Sequence, residues 1–216
     1  MKKYAIFDLD GTVLDSMPIW QDVGPDFLEK YSVPVPEGLN DKVKKMDFKE
    51  AMKYFIDTFA LDLDLDEVFE ATKEAVQKKY AQQVQLKPYT AEFLQKLKDN
   101  NVRMCVATAS ERSLCEFALK RLGVYDYFEF ILTCSDVKKG KDDPYIFLKC
   151  VELFGCQPED AFVVEDALYG METAKKAGFF VVGVYDKSAE QDAEAIKNTA
   201  DVYLNSFKDA DVLFEN

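Results

Sequence analysis

The chain has 216 residues, 48% apolar, 31% charged and 13% aromatic, a globular composition that excludes disordered, collagenous and low-complexity architectures. It contains no His, which removes Ser-His-Asp and Cys-His catalysis and imidazole zinc sites and leaves acid–base work to carboxylates, Lys or Tyr. With 27 Lys and Arg against 40 Asp and Glu, the net charge of −13 repels nucleic acid and anionic lipid, so neither is expected as a partner. An anionic substrate then needs a local positive device or a metal.

Residues 3–7 form a short apolar run that ends on Asp8, within the stretch D-L-D-G-T-V-L-D-S at 8–16. The opening M-K-K-Y-A-I-F-D-L-D meets two carboxylates too early for a signal peptide, and no apolar run approaches the ~18 residues of a membrane span. A cytoplasmic location and a monomeric state are the expectations.

Residues 17–86 show helical periodicity and no convincing strand. The pattern predicts one helix over 20–31, stopped by V-P-V-P at 33–36, and a second over 47–59 with Asp47 as N-cap. A third is expected over about 66–85, capped by Asp66. A calcium loop at Asp62, Asp64 and Asp66 fails, since Glu67 stands where the loop needs Gly and Lys73 where it needs Glu. An insertion of this length is a domain, leaving 1–16 and 87–216 as the core.

Beyond it, helical patterns at 91–100, 113–122, 145–154 and 168–177 alternate with short, non-alternating apolar runs at 102–107, 128–132, 161–164 and 179–184. Strands buried on both faces of a parallel sheet read this way. The expected fold is therefore α/β, a doubly wound, mostly parallel sheet with an inserted helical domain. The tail after 187 reads as one more helix, a short edge strand and a polar end. The five Cys sit mostly inside apolar stretches with no C-x-x-C pair, which reads as buried reduced thiols.

Asp8 and Asp10 follow the first strand directly, at the edge where open α/β sheets bind ligands, and Gly11 lets the chain turn sharply there. Two carboxylates so close repel unless a cation or proton lies between them. A hard, oxygen-seeking ion such as Mg²⁺ is the natural resolution.

The stretch at 8–16 resembles the first signature of the haloacid dehalogenase superfamily, and later signatures follow in order. V-A-T-A-S at 106–110 looks like the second, Gly140 and Lys141 followed by Pro144 like the third, and V-V-E-D-A at 163–167 like the acidic fourth. The third departs from the common form, with Asp142, Asp143 and Tyr145 where Pro, Ala and Asp are frequent. The resemblance implies a Rossmann-like core and a Mg²⁺-dependent phosphoryl transfer. Asp8 would be the nucleophile and Asp10 the general acid and base. The metal would be held by Asp8, the Asp10 backbone carbonyl and Asp166, with Glu165 beside it. Thr108 and the Ala109 N–H would cradle the phosphate, near Gly11 and Ser110, while Lys141 pairs with Asp8.

The insertion resembles the small helical cap of the subfamily that includes β-phosphoglucomutase and phosphoglycolate phosphatase, with hinges near 15–18 and 85–89. Within it Trp20 and Lys45 are candidate substrate contacts; Lys44, Lys45, Lys49 and Lys53 also fit a solvated helix face. Trp20 falls where the mutase carries a cap His, and the insertion has no Arg for a second phosphate. A phosphatase acting on a small phosphate monoester such as a sugar phosphate is the expectation, with a phosphosugar mutase and a catalytically silent binding module as alternatives.

Overall fold

The apolar run before Asp8 forms β1 (Tyr4–Phe7) in a computed structural model that describes residues 2–44 and 46–214. A tight turn follows, with the N–H groups of Val13 and Leu14 both donating to the Leu9 carbonyl, at 2.9 and 2.8 Å. The chain leaves through β2 (Leu14–Asp15) and enters α1 (Met17–Lys30), α2 (Leu39–Val43), α3 (Phe48–Thr58) and α4 (Leu65–Gln82), then returns through β3 (Gln85–Leu86). β2 and β3 pair antiparallel, Leu14 opposite Leu86, so the helical insertion leaves and re-enters at one place.

The insertion has apolar packing of its own. Phe27 stacks on Phe55 with ring centroids 5.7 Å apart, and Trp20 meets Phe48 edge-on at 5.4 Å. α3 starts as its sequence predicts: Asp47 accepts from the Glu50 N–H at 2.8 Å and the Glu50 carboxylate accepts from the Asp47 N–H at 3.0 Å. α4 corrects the reading in its first turn. Its N-cap is Asp64, not Asp66, and the Asp64 carboxylate accepts from the N–H groups of Asp66 and Glu67 at 3.0 Å each. The alternating D-L-D-L-D run offers several caps, and Asp64 is the one whose carboxylate reaches the free N–H groups of the first turn.

The remaining helices and strands alternate, except that α7 and α8 follow one another: α5 (Thr90–Asp99), β4 (Arg103–Thr108), α6 (Arg112–Arg121), β5 (Ile131–Thr133), α7 (Cys134–Val137), α8 (Tyr145–Phe154), β6 (Ala161–Glu165), α9 (Leu168–Lys176), β7 (Phe180–Val184), α10 (Ala193–Thr199) and β8 (Val202–Leu204). The main sheet runs β5-β4-β1-β6-β7-β8, and every pairing in it is parallel. From β1 the chain steps outward to β4 and β5, and from β6 outward the other way. The switch point thus lies between β1 and β6, where open sheets form their binding crevice.

Alternate strand residues face two separate apolar layers. Phe7, Val106 and Val164 pack with Phe93, Leu97 and Leu114 beneath α5 and α6, while Ile6, Cys105 and Val163 pack with Phe147, Met171 and Ala174 beneath α8 and α9. Both faces being covered explains why the strands read as continuous apolar runs. The third run starts later than its composition suggests, because residues 125–127 form a 3₁₀ turn and β5 begins only at Ile131. The five Cys are all free, four of them buried. The polar end is a second correction: Phe207 is buried and stacks on Phe93 at 4.9 Å, anchoring a 3₁₀ stretch (Phe207–Leu213) against α5. No helix among the described residues is long and apolar enough to cross a membrane.

The position of the α4 cap is testable. Asp64→Ala is expected to lower unfolding stability by about 1 kcal/mol, measured by chemical denaturation, whereas Asp66→Ala leaves the midpoint almost unchanged.

Candidate active site

Parallel register delivers the acidic residues to one point. Phe7 lies level with Val164 on β6 and Val106 on β4, so the next residue of each neighbouring strand end is Asp8, Glu165 or Ala107. Asp8 is fixed by its N–H, which donates to the Val164 carbonyl at 2.9 Å. Asp8, Thr108, Glu165 and Asp166 are all buried. Lys141 arrives from the loop between α7 and α8 and is only 2% exposed; its ammonium donates to Asp8 Oδ1 and, at 2.8 Å, to Glu165 Oε2. Thr12 donates its hydroxyl to Asp166 Oδ1 at 3.1 Å.

Gly11 makes this crowding possible. At φ +90° it adopts a conformation that L side chains avoid, and a Cβ there would drive into the Asp166 carboxylate. Its own polar groups are used inside the loop, the N–H to the Leu14 carbonyl at 2.9 Å and the carbonyl to Lys87 Nζ at 2.8 Å. It stands apart from the cavity lining, so its place is in shaping the turn.

Ligand oxygens of Asp8, Glu165 and Asp166 lie within 4.8 Å of one another. Burial first, then the charge of Glu165, push the Asp8 carboxyl from 3.8 up to about 7, against the opposing pull of Lys141. Asp166 is driven well above the carboxylate range by burial and by Asp8. Burial alone would depress the Lys141 ammonium, but Asp8 and Glu165 hold it well above the ordinary lysine value. The cluster therefore carries more negative charge than one ammonium balances. Three buried carboxylates in this arrangement fit a hard divalent cation with oxygen ligands, which would restore their ionised forms.

The Asp10 carboxylate lies outside that trio and takes three hydroxyl hydrogen bonds. Ser16 donates to Oδ1 at 2.6 Å, Ser110 to Oδ2 at 2.5 Å, and Tyr80 also to Oδ1. Trp20 Nε1 donates in turn to the Tyr80 hydroxyl at 2.7 Å. Burial and the neighbouring Asp10 keep the Tyr80 phenol protonated well above its ordinary value. Tyr80 and Lys87 are bonded to Asp10 and to the Gly11 turn, and sequence reasoning passes over both. Tyr80 shares the buried stripe of α4 with Val68 and Val76 and so reads as core. Lys87 follows β3 directly and ties the Gly11 carbonyl to the Asp186 carboxylate, 2.7 Å away.

A cavity of about 550 Å³ opens over the cluster. Asp8, Asp10, Thr108, Ala109, Ser110, Lys141, Glu165 and Asp166 form its floor, and Met17, Trp20, Lys44 and Phe48 of the insertion stand over them. Lys49 and Lys53 are exposed and paired with Asp66 and Asp57, both at 2.6 Å, the solvated face that composition allows. Lys45 lies outside the described residues.

Residues 5–184 match the sequence profile of the haloacid dehalogenase-like hydrolases. The chain is 27% identical over 174 residues to a phosphorylated carbohydrates phosphatase of Thermotoga maritima, covering 81% of each chain. It is 26% identical over 210 residues to the β-phosphoglucomutase of Bacillus subtilis, covering 94% of this chain and 92% of that one. A crystal structure of CbbY from Rhodobacter sphaeroides in complex with xylulose-(1,5)bisphosphate superposes with a TM-score of 0.83 at 21% identity, covering 97% and 96% of the two chains.

The charge imbalance has a measurable consequence. Asp8 with its raised value, about 7 against 3.8, favours the folded state below both values, and that contribution is lost as pH rises from about 4 through about 7. Without a divalent ion, the melting temperature should fall across that window. Added Mg²⁺ is expected to raise it, more at pH 8 than at pH 6, because binding requires ionised carboxylates. Asp166→Asn should abolish most of the Mg²⁺ effect in a thermal-shift titration.

Proposed function

We propose that this chain, which belongs to the haloacid dehalogenase-like hydrolases, is a phosphatase that releases phosphate from a small phosphorylated carbohydrate or similar monoester. The observation that carries this reading is the buried set of Asp8, Lys141, Glu165 and Asp166 at the floor of a cavity roofed by the helical insertion. The named activity of the Thermotoga maritima relative supports the substrate class.

Asp8 is the nucleophile. Its carboxylate attacks phosphorus in line with the leaving oxygen, and an aspartyl-phosphate splits one hard displacement into two easier ones. Lys141 holds Asp8 in position and offsets the charge of the transferring group. Thr108 and the Ala109 N–H cradle the phosphoryl oxygens. Asp8, the Asp10 backbone carbonyl and Asp166, with Glu165 beside them, would hold Mg²⁺, which supplies charge neutralisation at the phosphoryl oxygens.

Asp10 hands a proton to the leaving alcohol and later takes one from water. Its carboxylate is already bonded to Ser16, Tyr80 and Ser110, so it must release at least one of these partners to reach a leaving oxygen. Residues 17–86 act as a cap over a core of 1–16 and 87–216. The cap shuts bulk water out while Asp8 is attacked and admits one water for the second step. Transfer to a second hydroxyl of the same sugar would use the same groups. Trp20 in place of a cap His, and the lack of any Arg in residues 17–86, support water as the acceptor.

The test is phosphate release from an aryl phosphate and a panel of sugar phosphates. Release is expected to need Mg²⁺, to stop with chelator, and to fall by at least about a thousandfold in Asp8→Asn. Isomerisation of a hexose 1-phosphate primed with a bisphosphate, without release, would make the chain a mutase instead.

A further inference from the structure

We propose that the cavity selects monophosphate esters whose leaving group is uncharged and rich in hydroxyls, and discriminates against esters that carry a second anionic group. This rests on the phosphatase reading and adds a rule for the leaving group.

The rule comes from the charge distribution along the cavity. Its floor pairs carboxylates with Lys141 and has the buried oxygens to take a divalent ion. Its outer end is different. There the lining is Asp41 in α2, Asp47 at the start of α3, and Asp192 of the core segment that precedes α10. Among the described residues, Lys44 is the one cation lining that end. It is already shared, with Nζ 3.1 Å from Asp41 and 3.9 Å from Asp192.

Among the described residues, three carboxylates and one ammonium make the outer end negative. A second phosphate or a carboxylate arriving there would meet that field without an unshared described cation to receive it, and each such like-charge approach costs binding. Hydroxyl groups meet the reverse situation, since a carboxylate accepts from them; Asp47 already takes the Glu50 N–H and the Ser135 hydroxyl and Asp41 Oδ1 the Lys44 ammonium, so the remaining lone pairs of Asp41 and Asp192 are the acceptors offered. Gln21, Asn40 and Gln191 add amides that both donate and accept, and Met17, Met46 and Leu168 give the C–H face of a sugar an apolar surface.

The acidic mouth is a joint product of cap and core. Tyr169 of α9 donates its hydroxyl to the Lys44 carbonyl at 3.0 Å, while the Lys44 ammonium reaches Asp192. Lys44 is thereby held from both its ends between the two parts of the chain. Specificity then depends on a core segment, through Asp192, as well as on the cap.

The experiment measures kcat/KM of the wild type for a hexose monophosphate, its bisphosphate and 2-phosphoglycolate at low and high salt, alongside an aryl phosphate. The monophosphate is expected to win by about tenfold or more, with the gap narrowing in high salt as screening removes the repulsion. The isosteric pair Asp41→Asn with Asp192→Asn should raise kcat/KM for the bisphosphate about tenfold and lower it for the monophosphate, the size expected for a few partly screened charges at close range. Equal or better use of the bisphosphate by the wild type would overturn the rule, as would a preference that ignores both salt and the double substitution. Those outcomes leave the phosphatase reading standing. Silence on every ester, the aryl phosphate included, overturns the phosphatase reading and the rule together.

Discussion

Like charge crowded between two adjacent parallel strands is the constraint around which the structure is arranged. Asp8 and Glu165 are each one residue beyond a paired position, Phe7 with Val164, so the ladder itself brings them together, and Asp166 follows. Such a group is costly to bury, and the chain spends several specific residues on holding it. Lys141 comes from a loop far along the sequence to bond two of the carboxylates. Gly11 makes room for Asp166, and Gly170 for Glu165, whose Cδ would lie only 2.8 Å from an added Cβ. The apolar layers on both faces of the sheet supply the stability that this cluster does not. Carboxylates perturbed by burial and mutual charge and packed into a cleft make this cluster the candidate site.

Asp10 stands at a joint. Ser16 lies at the start of the insertion, Tyr80 on its last helix and Ser110 on the core, and all three donate to the same carboxylate. A shift of α4 relative to the sheet therefore alters the bonding of Asp10 directly. The paired strands β2 and β3 join the insertion to the core as one narrow ribbon, and Lys87, just beyond it, ties that ribbon to the Gly11 loop and to Asp186. The bonding of the Asp10 carboxylate and the position of the insertion are thus linked by ordinary hydrogen bonds.

Much of this was legible in the chain because the informative signals were local. A buried parallel strand announces itself by a continuous apolar run, and the site residues fall at the ends of those runs, so Asp8, Thr108, Glu165 and Asp166 could be placed without coordinates. Asp47 was readable as a cap because Glu50 stands three residues on. The illegible parts were those decided by distant packing. Tyr80 is seventy residues from Asp10, and its helical spacing says only that it is buried. Among Asp62, Asp64 and Asp66 the spacing alone does not say which is the cap, and the backbone path puts Asp64 there. Phe207 looked like part of a polar end until Phe93 was seen to lie beneath it.

The net charge of −13 raises a problem that the site geometry answers. A phosphate ester approaching this surface is repelled on average, so favourable interaction has to be concentrated, and it is concentrated at the bottom of the cavity, where low dielectric makes each ammonium or metal contact count for more. An acidic outer end then does more than set specificity. On the proposed reading it favours the orientation that puts the phosphoryl group at the floor against Lys141 and Thr108 and the uncharged end among the carboxylates and amides of the mouth. If Asp8 is the nucleophile as proposed, orientation of the phosphorus toward it follows from the charge gradient of the cavity, before any shape-specific contact with the leaving group is made.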